Sequence, residues 1–242
     1  MMRYYTTFLF FILSILFLNA QQSAVVIYKA ELNTDKERYL KYKDKLGENM
    51  VNRMKQKDAG INEILKDFSF KLQFNATESR YEWEEDMPDE TVNQSVFLLS
   101  KLAGGGLAVH YTNIKENLYL KQFKEISTGR LVRETAPLVQ KDWQITKETD
   151  TILGYPVIKA VKGKTEAWFT SSIPVPFGPA EARGLPGLIL KYNFNNTRII
   201  YADKIKWLKK NLNIKRPKKG LLRTQKEGRA QRMKEMGRML NK

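Results

Sequence analysis

The sequence predicts an α+β fold: a long N-terminal helix packed on a large antiparallel meander sheet, followed by a basic C-terminal tail. Three observations lead to this fold class. Apolar residues recur every three or four positions after residue 34, stretches of alternating polar and apolar residues follow, and basic residues crowd the last part of the chain. A twisted sheet of this kind could curl into a half-barrel, with the helix on its concave face.

The first residues have the layout of a secretory signal peptide, which we assign to residues 1–20. Arg3 precedes an apolar core at residues 8–18, and the small residue Ala20 follows. This core is shorter than the roughly 20 apolar residues that a membrane-spanning helix needs. We therefore expect cleavage after Ala20 and export to the periplasm, the cell surface or the medium of a bacterium.

Charge separates the mature chain into a nearly neutral domain and a basic tail. The formal net charge is +16, but residues 204–242 hold 15 Lys/Arg against 2 Asp/Glu, whereas residues 21–203 hold 26 against 24. We assign residues 21–205 to one domain and residues 206–242 to a Met-containing tail that is helical or disordered. The charge of the domain, together with export, argues against nucleic acid as a partner. The chain has no cysteine, so packing alone must stabilise the domain.

The predicted elements follow in order along the domain. Residues 24–30 are rich in β-branched side chains and predict a first strand. The apolar stripe of the long helix consists of Tyr39, Tyr42, Leu46, Met50 and Met54, a length of about five turns. Residues 86–106 are expected to be irregular. The other predicted strands cover residues 68–74, 81–83, 108–114, 117–123, 130–134, 143–148, 157–163, 165–170, 188–194 and 198–205, with a tight hairpin at Asn195-Asn196.

A block of short motifs lies between residues 143 and 190. It comprises Trp143, ILGY at 152–155, KA at 159–160, AWFT at 167–170, IP at 173–174, FGP at 177–179 and GLPGLIL at 184–190. In order and spacing this block resembles the GLPGLI family of secreted bacterial proteins. The resemblance implies export and this fold class, and it brings no established reaction, cofactor or catalytic residue. Val157 stands near the position where the family often has a cysteine, so a thiol has no role in this chain.

The motif residues are interpreted as architectural rather than as a ligand-binding loop. They are Gly154, Tyr155, Trp168, Pro174, Gly178, Pro179, Gly184, Leu185, Pro186, Gly187, Leu188 and Ile189. Pro186 fixes φ at about −65° and Gly187 accepts a positive φ, so the pair fits the central positions of a type II turn. This turn would aim the strand that follows it, so that the apolar face of that strand meets the core.

Two features bear on catalysis and metal binding. His110 is the sole histidine, and its place in an alternating strand favours a surface or half-buried residue over a zinc ligand. Glu82, Glu84, Glu85, Asp86, Asp89 and Glu90 form an acidic cluster at residues 82–90. Paired carboxylates can hydrolyse glycosides or hold calcium, but the spacing fits no calcium loop and a solvated loop is the better interpretation. The sequence therefore predicts no cofactor, no metal and no catalytic residue.

The basic tail carries an amphipathic helical pattern. Leu222, Met233, Met236, Met239 and Leu240 are its candidate contact residues, with lysines and arginines between them. A helix of this kind can lie on an anionic membrane surface or dock into a groove of an envelope protein. As an alternative, Met233, Met236 and Met239 could present three thioethers to Cu(I), which prefers soft ligands. An unstructured, solvated tail is the third possibility.

Together these patterns favour an exported, non-enzymatic binding or accessory protein of the bacterial envelope. Two other functions stay open: a carrier of a lipid or hydrophobic ligand, and a hydrolase that uses the acidic cluster at 82–90. The concave face of the sheet discriminates between the three. An open apolar hollow favours the carrier, a filled hollow favours the accessory protein, and a polar cleft with converging carboxylates favours the enzyme.

Overall fold

Twelve strands and four helices make up the part of the chain that the computed structural model describes, namely residues 23–84, 94–140 and 142–240. The strands are β1 (Ser23–Leu32), β2 (Phe70–Phe74), β3 (Glu78–Trp83), β4 (Ala108–Asn113), β5 (Leu118–Lys124), β6 (Leu131–Pro137), β7 (Gln144–Ile152), β8 (Tyr155–Lys162), β9 (Thr165–Thr170), β10 (Leu188–Phe194), β11 (Arg198–Leu208) and β12 (Leu221–Thr224). The helices are α1 (Lys36–Leu46), α2 (Glu48–Leu65), α3 (Gln94–Ala103) and α4 (Gln225–Leu240). The predicted signal peptide lies outside the described residues.

All twelve strands belong to one sheet, in the order β12-β6-β5-β4-β3-β2-β1-β11-β10-β9-β8-β7. The first strand lies in the middle, where it pairs with β2 on one side and with β11 on the other. Each paired neighbour runs antiparallel except β12, which pairs in parallel with β6. The sheet is therefore mixed. Its central pairing, between β1 and β11, joins strands that are far apart in the sequence.

The predicted fold class is wrong. The structure is a mixed, sandwich-like sheet with four short helices, and not a long N-terminal helix packed on an antiparallel meander or half-barrel. The apolar stripe that predicted one long helix is divided between α1 and α2, because Gly47 between them has a φ of 75° and ends the first helix. The parallel pairing of β12 was not predicted, since Leu221–Thr224 reads as part of a basic tail.

A core of buried apolar side chains, which we call the dry core, covers one half of the inner sheet face. Inward residues of β1 and β2 such as Val26 and Leu72 are fully buried there. The segment 171–187, which we call the inner loop, crosses this face between β9 and β10. Its Phe177 ring lies 6.0 Å from the ring of Phe74, measured between centroids. The hydroxyl of Tyr28 donates a 2.7 Å hydrogen bond to the carbonyl of Ile189 at the start of β10.

Local patterns predicted most of the strands correctly. The bounds of β9 and β10 coincide with the predicted 165–170 and 188–194. The predicted hairpin is confirmed, because Asn195 and Asn196 between β10 and β11 have φ values of 51° and 56°. Helix α3, in contrast, lies in the stretch that was expected to be irregular. None of the described helices is both long and apolar enough to cross a membrane.

The segment between β11 and β12, residues 209–220, contacts the sheet before the chain reaches β12 and α4. Asn211 accepts a 2.8 Å hydrogen bond from the hydroxyl of Ser23, and the carbonyl of Leu212 accepts one of 2.9 Å from the side-chain amide of Asn75. Ile214 packs with Tyr111 and Leu120 in a second, smaller apolar cluster. Strand β12 then extends the sheet at the β6 edge, and α4 follows without a break.

Candidate ligand-binding cavity

A cavity of about 1050 Å³ lies over the inner face of β4 and β5. Its walls come from α2, α3, α4, the turn after β5 and the β10–β11 hairpin. Most of the wall is apolar, with Met54, Ile61, Leu99, Leu102, Leu107 and Phe123 among the lining residues. Leu102 is 49% exposed and Ile126, which also lines the cavity, is 96% exposed, so the apolar surface continues out to solvent.

A row of polar side chains crosses the inner face on this side of the sheet. Cross-strand pairing aligns Tyr81 of β3 with His110 of β4, His110 with Lys121 of β5, Lys121 with Glu134 of β6, and Glu134 with Arg223 of β12. Directly paired residues point to the same face of a sheet. We call these five residues the polar row. His110 and Lys121 line the cavity itself.

His110 is buried and neutral. Its Nδ1 lies 2.7 Å from the hydroxyl of Tyr119, and its Nε2 lies 3.3 Å from the carbonyl of Gly105. Because a carbonyl only accepts, Nε2 carries the proton and Nδ1 accepts from Tyr119. Burial, and next the charge of Lys121, lower the pKa of His110 to about 3. Contrary to the expectation of a surface or half-buried residue, only 3% of His110 is exposed.

An ion pair in the cavity wall joins the inner loop to β11. The Nη2 atom of Arg198 in β11 lies 2.5 Å from Oε1 of Glu181, and Nη1 donates a 2.7 Å hydrogen bond to the carbonyl of Leu102. Burial opposes ionisation of Glu181, but the charge of Arg198, and further off that of Lys121, hold its pKa below the usual value. The carboxylate of Glu181 is therefore ionised, and it forms an ion pair with Arg198.

A second charge cluster joins the polar row to the C-terminal segment. Glu134 accepts hydrogen bonds from Nη2 of Arg223 at 2.7 Å and from Nη1 of Arg232 at 2.5 Å. Arg223 also pairs with Glu125 at 2.8 Å. The side chains of Arg223 and Glu134 are only 8% and 3% exposed. The cluster thereby connects β6 to β12 and α4.

Lys121 differs from these groups because its charge is not neutralised by a direct contact. Within residues 23–84, 94–140 and 142–240 its Nζ forms no hydrogen bond and no ion pair, since Glu181 and Glu134 are taken by arginines. Its Nζ lies 5.3 Å from the centroid of the Phe123 ring. Burial lowers the pKa of Lys121, and the more distant charges of Glu181 and Glu134 oppose that shift.

The GLPG stretch is not part of the cavity lining and forms the end of the inner loop, next to β10. A Cβ atom on Gly187 would lie 2.1 Å from the carbonyl oxygen of Thr170, so only glycine allows this approach to β9. The predicted type II turn is wrong in one respect: Gly184, and not Gly187, has a positive φ, of 82°. A Cβ on Gly184 would also lie 2.8 Å from the carbonyl oxygen of Leu138. Both glycines thus serve close backbone packing.

The other motif residues occupy the same scaffold. Gly154 lies in the turn before β8, Tyr155 begins β8, and Trp168 lies in β9. The inner loop carries Pro174, Gly178, Pro179, Leu185 and Pro186, and β10 begins with Leu188 and Ile189. Leu185, Leu188 and Ile189 are buried. None of these residues lines the cavity, but they anchor the loop that carries Glu181.

The remaining predicted residues lie away from the cavity or outside the described residues. Glu82 pairs with Arg80 at 2.7 Å and Glu84 with Lys71 at 3.0 Å, whereas residues 85–90 of the acidic cluster are not among those described. Leu222, Met233 and Met236 are 55%, 61% and 51% exposed. Met239 and Leu240 belong to α4, but their side chains lie outside the description, so the copper prediction is not tested. No group of three His, Asp or Glu side chains in the described residues could hold a metal ion.

The sequence did carry a signal for the cavity residues that the predictions missed. In β5, Lys121 occupies the same alternating positions as Tyr119 and Phe123, and both of these are inward-facing aromatic residues. In β6, Glu134 stands two residues after the buried Val132. A charged residue at an inward position of a strand is therefore visible in the sequence, whereas Glu181 and Arg198 required the fold.

Comparison with known proteins identifies relatives of part of this fold. Residues 108–225, a little under half of the chain, match the family described as "N-glycanase peptide, N-terminal domain". Two solved structures of PNGF-II, in space groups C2 and P21, superpose with TM-scores of 0.53 and 0.52, each at 18% sequence identity. These matches cover 86% and 87% of this chain. No curated protein matches the sequence.

The likeness to PNGF-II extends to the fold and not to a whole protein. The matches cover only 32% and 33% of the PNGF-II chains, so this chain spans about a third of their length. The family match includes the floor of the cavity, the inner loop and the GLPG stretch. Neither comparison reports the GLPGLI family, so that assignment stays a prediction.

Proposed function

We propose that this protein is an exported, non-enzymatic binding protein of the bacterial envelope that carries an amphiphilic ligand in its cavity. The observation that carries the proposal is the cavity itself, about 1050 Å³ with largely apolar walls and a charged floor. Sites for small molecules commonly measure roughly 300 to 1,000 Å³ and combine apolar walls with a few polar groups. Over the other half of the sheet, the described residues form the filled hollow expected of a purely structural accessory protein.

The carboxylates around the cavity argue against the hydrolase. Glu181, Glu125 and Glu134 each pair with an arginine. Asp58 accepts a 2.8 Å hydrogen bond from the hydroxyl of Tyr39. Glu235, another carboxylate of the lining, accepts a 3.0 Å hydrogen bond from Gln231. A glycosidase instead uses a pair of carboxyl groups that flank the bond to be cleaved. In the acidic cluster at 82–90, only residues 85–90 are outside the described part of the chain. The hydrolase therefore stays a prediction that depends on those residues.

Export and family membership form part of the same proposal. The Arg3, 8–18 and Ala20 pattern supports export through a cleaved signal peptide. The order of the motifs between residues 143 and 190 supports the resemblance to the GLPGLI family. Sequencing of the N-terminus of the native protein should begin at Gln21, and an intact Met1 would reject export by cleavage.

A cavity-filling substitution tests the carrier function. Leu107 lines the cavity, whereas Val139 is 56% exposed and lies outside it. We expect Leu107→Trp to weaken binding of an apolar fluorescent probe at least about tenfold, because the indole takes up ligand volume. Val139→Trp should leave the affinity unchanged. If both variants bind the probe as the parent does while remaining folded, the cavity is not the binding site.

A second candidate is a glycan-related accessory role, favoured by the match of residues 108–225 to a family whose description names an N-glycanase. Because the chain spans about a third of PNGF-II, the activity of that protein is not carried over. Calorimetry with a free N-glycan, beside an alkyl probe, separates the two candidates. Glycan binding that survives Leu107→Trp would favour the glycan-related role over the carrier.

We further propose that α4 contacts an anionic membrane surface or an envelope protein. Met233 and Met236 are exposed neighbours on this helix, and Lys234 and Arg229 are exposed as well. Exposed apolar side chains among basic ones are typical of helices that lie on anionic lipid. Such a contact would place the nearby cavity, to which α4 contributes Arg232 and Glu235, close to a source of amphiphiles.

A further inference from the structure

Lys121 lines the cavity half-buried and has no counterion among the described residues. Lys57 and Lys124 also line it without an ion pair, but both are exposed to solvent. The neighbours of Lys121 in the polar row have partners: His110 bonds Tyr119 and Gly105, and Glu134 bonds Arg223 and Arg232. The second carboxylate near Lys121, that of Glu181, is held by Arg198. The ammonium group therefore projects into the cavity from the floor with both nearby carboxylates already engaged.

An unpaired ammonium in a half-buried apolar site is costly. Removing a charge from water is unfavourable unless another charge or several hydrogen bonds replace the lost hydration. The lowered pKa of Lys121 reflects this cost, and burial is its leading cause. A bound anion would offset the cost of burying this ammonium group, because charge-assisted hydrogen bonds to a carboxylate or phosphate are stronger than hydrogen bonds between neutral groups.

The walls determine what else the ligand must contain. Ile61, Leu99 and Leu107 line the space, and exposed Leu102 and Ile126 continue the apolar surface to solvent. A small free anion would leave this surface in water, whereas an apolar chain attached to the anion would cover it. The neutral polar groups that recognise a free sugar are few here, since Ser127 and Thr197 are the hydroxyl residues among the lining.

We propose that Lys121 recognises the anionic head group of an amphiphile, a carboxylate or a phosphate, whose apolar chain lies along the α2 and α3 walls of the cavity. This inference rests on the proposed carrier function and names the chemistry of its ligand. Lys121 is a binding residue in this scheme, and no bond is made or broken.

The experiment compares three probes with the same apolar chain: dodecanoate, dodecyl phosphate and dodecyl maltoside, each below its micelle concentration. Affinities are measured by calorimetry for the parent, Lys121→Met, Lys121→Arg and the control Lys115→Met. Lys115 is exposed in the turn between β4 and β5 and lies outside the cavity, so its variant has the same change in net charge. Melting curves establish that each variant is folded.

We expect Lys121→Met to weaken binding of at least one anionic probe roughly ten- to hundredfold, the loss that follows from removing one charged hydrogen bond. Binding of dodecyl maltoside should change by less than about twofold, because its head group is neutral. Lys121→Arg should retain most of the anion affinity, and Lys115→Met should behave as the parent. A loss confined to one anion identifies the head group as carboxylate or phosphate.

The pH dependence gives an independent readout. The groups that face Lys121 are His110 of β4, Glu134 of β6, Glu181 of the inner loop, Arg198 of β11 and Arg232 of α4. The lowered pKa values of His110 and Glu181 keep the imidazole neutral and the carboxylate ionised from about pH 7 to about pH 10. Dodecanoate affinity should therefore fall over this range in the parent as Lys121 loses its proton, and it should stay level in Lys121→Arg.

Two results would overturn the inference in different ways. If the parent binds none of the three probes, the carrier function fails and the role of Lys121 fails with it. If all three bind and Lys121→Met binds the anions as tightly as the parent, the cavity remains a binding site but Lys121 does not recognise the head group.

Discussion

The inner face of the sheet changes character between its two halves. Over β1, β2, β9 and β10 the inward residues are buried and apolar, and the inner loop packs on them. Over β4, β5, β6 and β12 the corresponding positions include His110, Lys121, Glu134 and Arg223, and a cavity lies above two of these. The same sheet thus carries a dry core at one side and ionisable groups at the other.

This difference separates the scaffold from the candidate site. Buried ionisable groups cost stability unless they are fully paired, and apolar residues of similar volume often replace them without loss. A sheet that only had to fold would gain from apolar residues on both halves. We infer that the polar half is maintained for binding, whereas the GLPG stretch, with Gly184 and Gly187 packed against backbone, belongs to the scaffold.

The largest expected effect tests the charge cluster of the polar half. Glu134→Gln removes the negative partner of two arginines, one of which is buried. We expect a loss of about 3 to 4 kcal/mol in the free energy of unfolding, because buried Arg223 keeps only Glu125 as a partner and Arg232 loses its carboxylate. Urea denaturation measures it, and hydrogen exchange should show faster opening of β12 and α4.

A matched control for this substitution exists on the surface. Glu116 pairs with Arg216 at 2.9 Å, but their side chains are 47% and 39% exposed. Glu116→Gln should therefore cost less than about 1 kcal/mol. Equal effects of the two substitutions would mean that the cluster at Glu134 is no more than a surface ion pair.

The next effect tests the dry half. Gly187→Ala places a methyl group against the Thr170 carbonyl, and we expect a loss of about 3 kcal/mol in thermal or urea unfolding. Gly187→Asn should be at least as damaging, since the obstacle is space and not a positive φ. Gly60→Ala, on α2 with nothing within 4 Å of the new Cβ, should instead be neutral or stabilising. A parent-like Gly187→Ala protein would show that the close approach to β9 does not exist.

A smaller effect is the pH dependence of stability that the polar half should contribute through His110. The folded protein keeps His110 neutral because its pKa is lowered to about 3, whereas the unfolded chain protonates it below its usual pKa of 6.5. Acid therefore favours unfolding, and between pH 7 and pH 5 this residue should remove about 2 kcal/mol of stability. Stability measured at both pH values should show that slope in the parent.

The variant His110→Gln isolates this contribution. Glutamine can donate and accept as the neutral imidazole does, but it does not titrate. Its loss of stability between the two pH values should be smaller than that of the parent by about the same 2 kcal/mol. Identical slopes in the two proteins would mean that His110 is protonated as readily in the folded state as in the unfolded chain.

The two halves also differ in how far the sequence predicted them. Alternation in residues 165–170 and 188–194 gave β9 and β10 directly, and Asn195-Asn196 gave the hairpin, because each signal is local. The division of the helix at Gly47 was missed, since a glycine is tolerated within many helices. Strand β12 was missed because its pairing with β6 joins residues 89 positions apart, such as Leu221 and Val132.

The site was harder to predict than the scaffold for the same reason. The motifs between residues 143 and 190 lie close together in sequence and are therefore recognisable, but none of their residues lines the cavity. Lys121, Glu181 and Arg198 come from separate elements and are common residue types in this chain. Only the sheet order, which brings β4 and β5 under the inner loop and the β10–β11 hairpin, places them together.

The smallest effect on stability tests the two sides of α4. Arg232 joins this helix to Glu134, whereas Met233 and Met236 are 61% and 51% exposed. The double variant Met233→Gln, Met236→Gln should change the free energy of unfolding by less than about 0.5 kcal/mol, as is usual for surface substitutions.

The double variant Met233→Gln, Met236→Gln should instead weaken the proposed contact of α4 with a membrane. Sedimentation with vesicles that contain phosphatidylglycerol should show binding by the parent and a several-fold loss in the double variant, because the apolar residues no longer insert. Binding of both proteins should fall as salt rises, since the lysines and arginines contribute by charge. If the double variant binds as the parent does, the attraction is electrostatic alone and the methionines are not the contact. A loss of stability together with binding would mean that Met233 and Met236 pack within the fold, and the distinction between the two sides of α4 would fail.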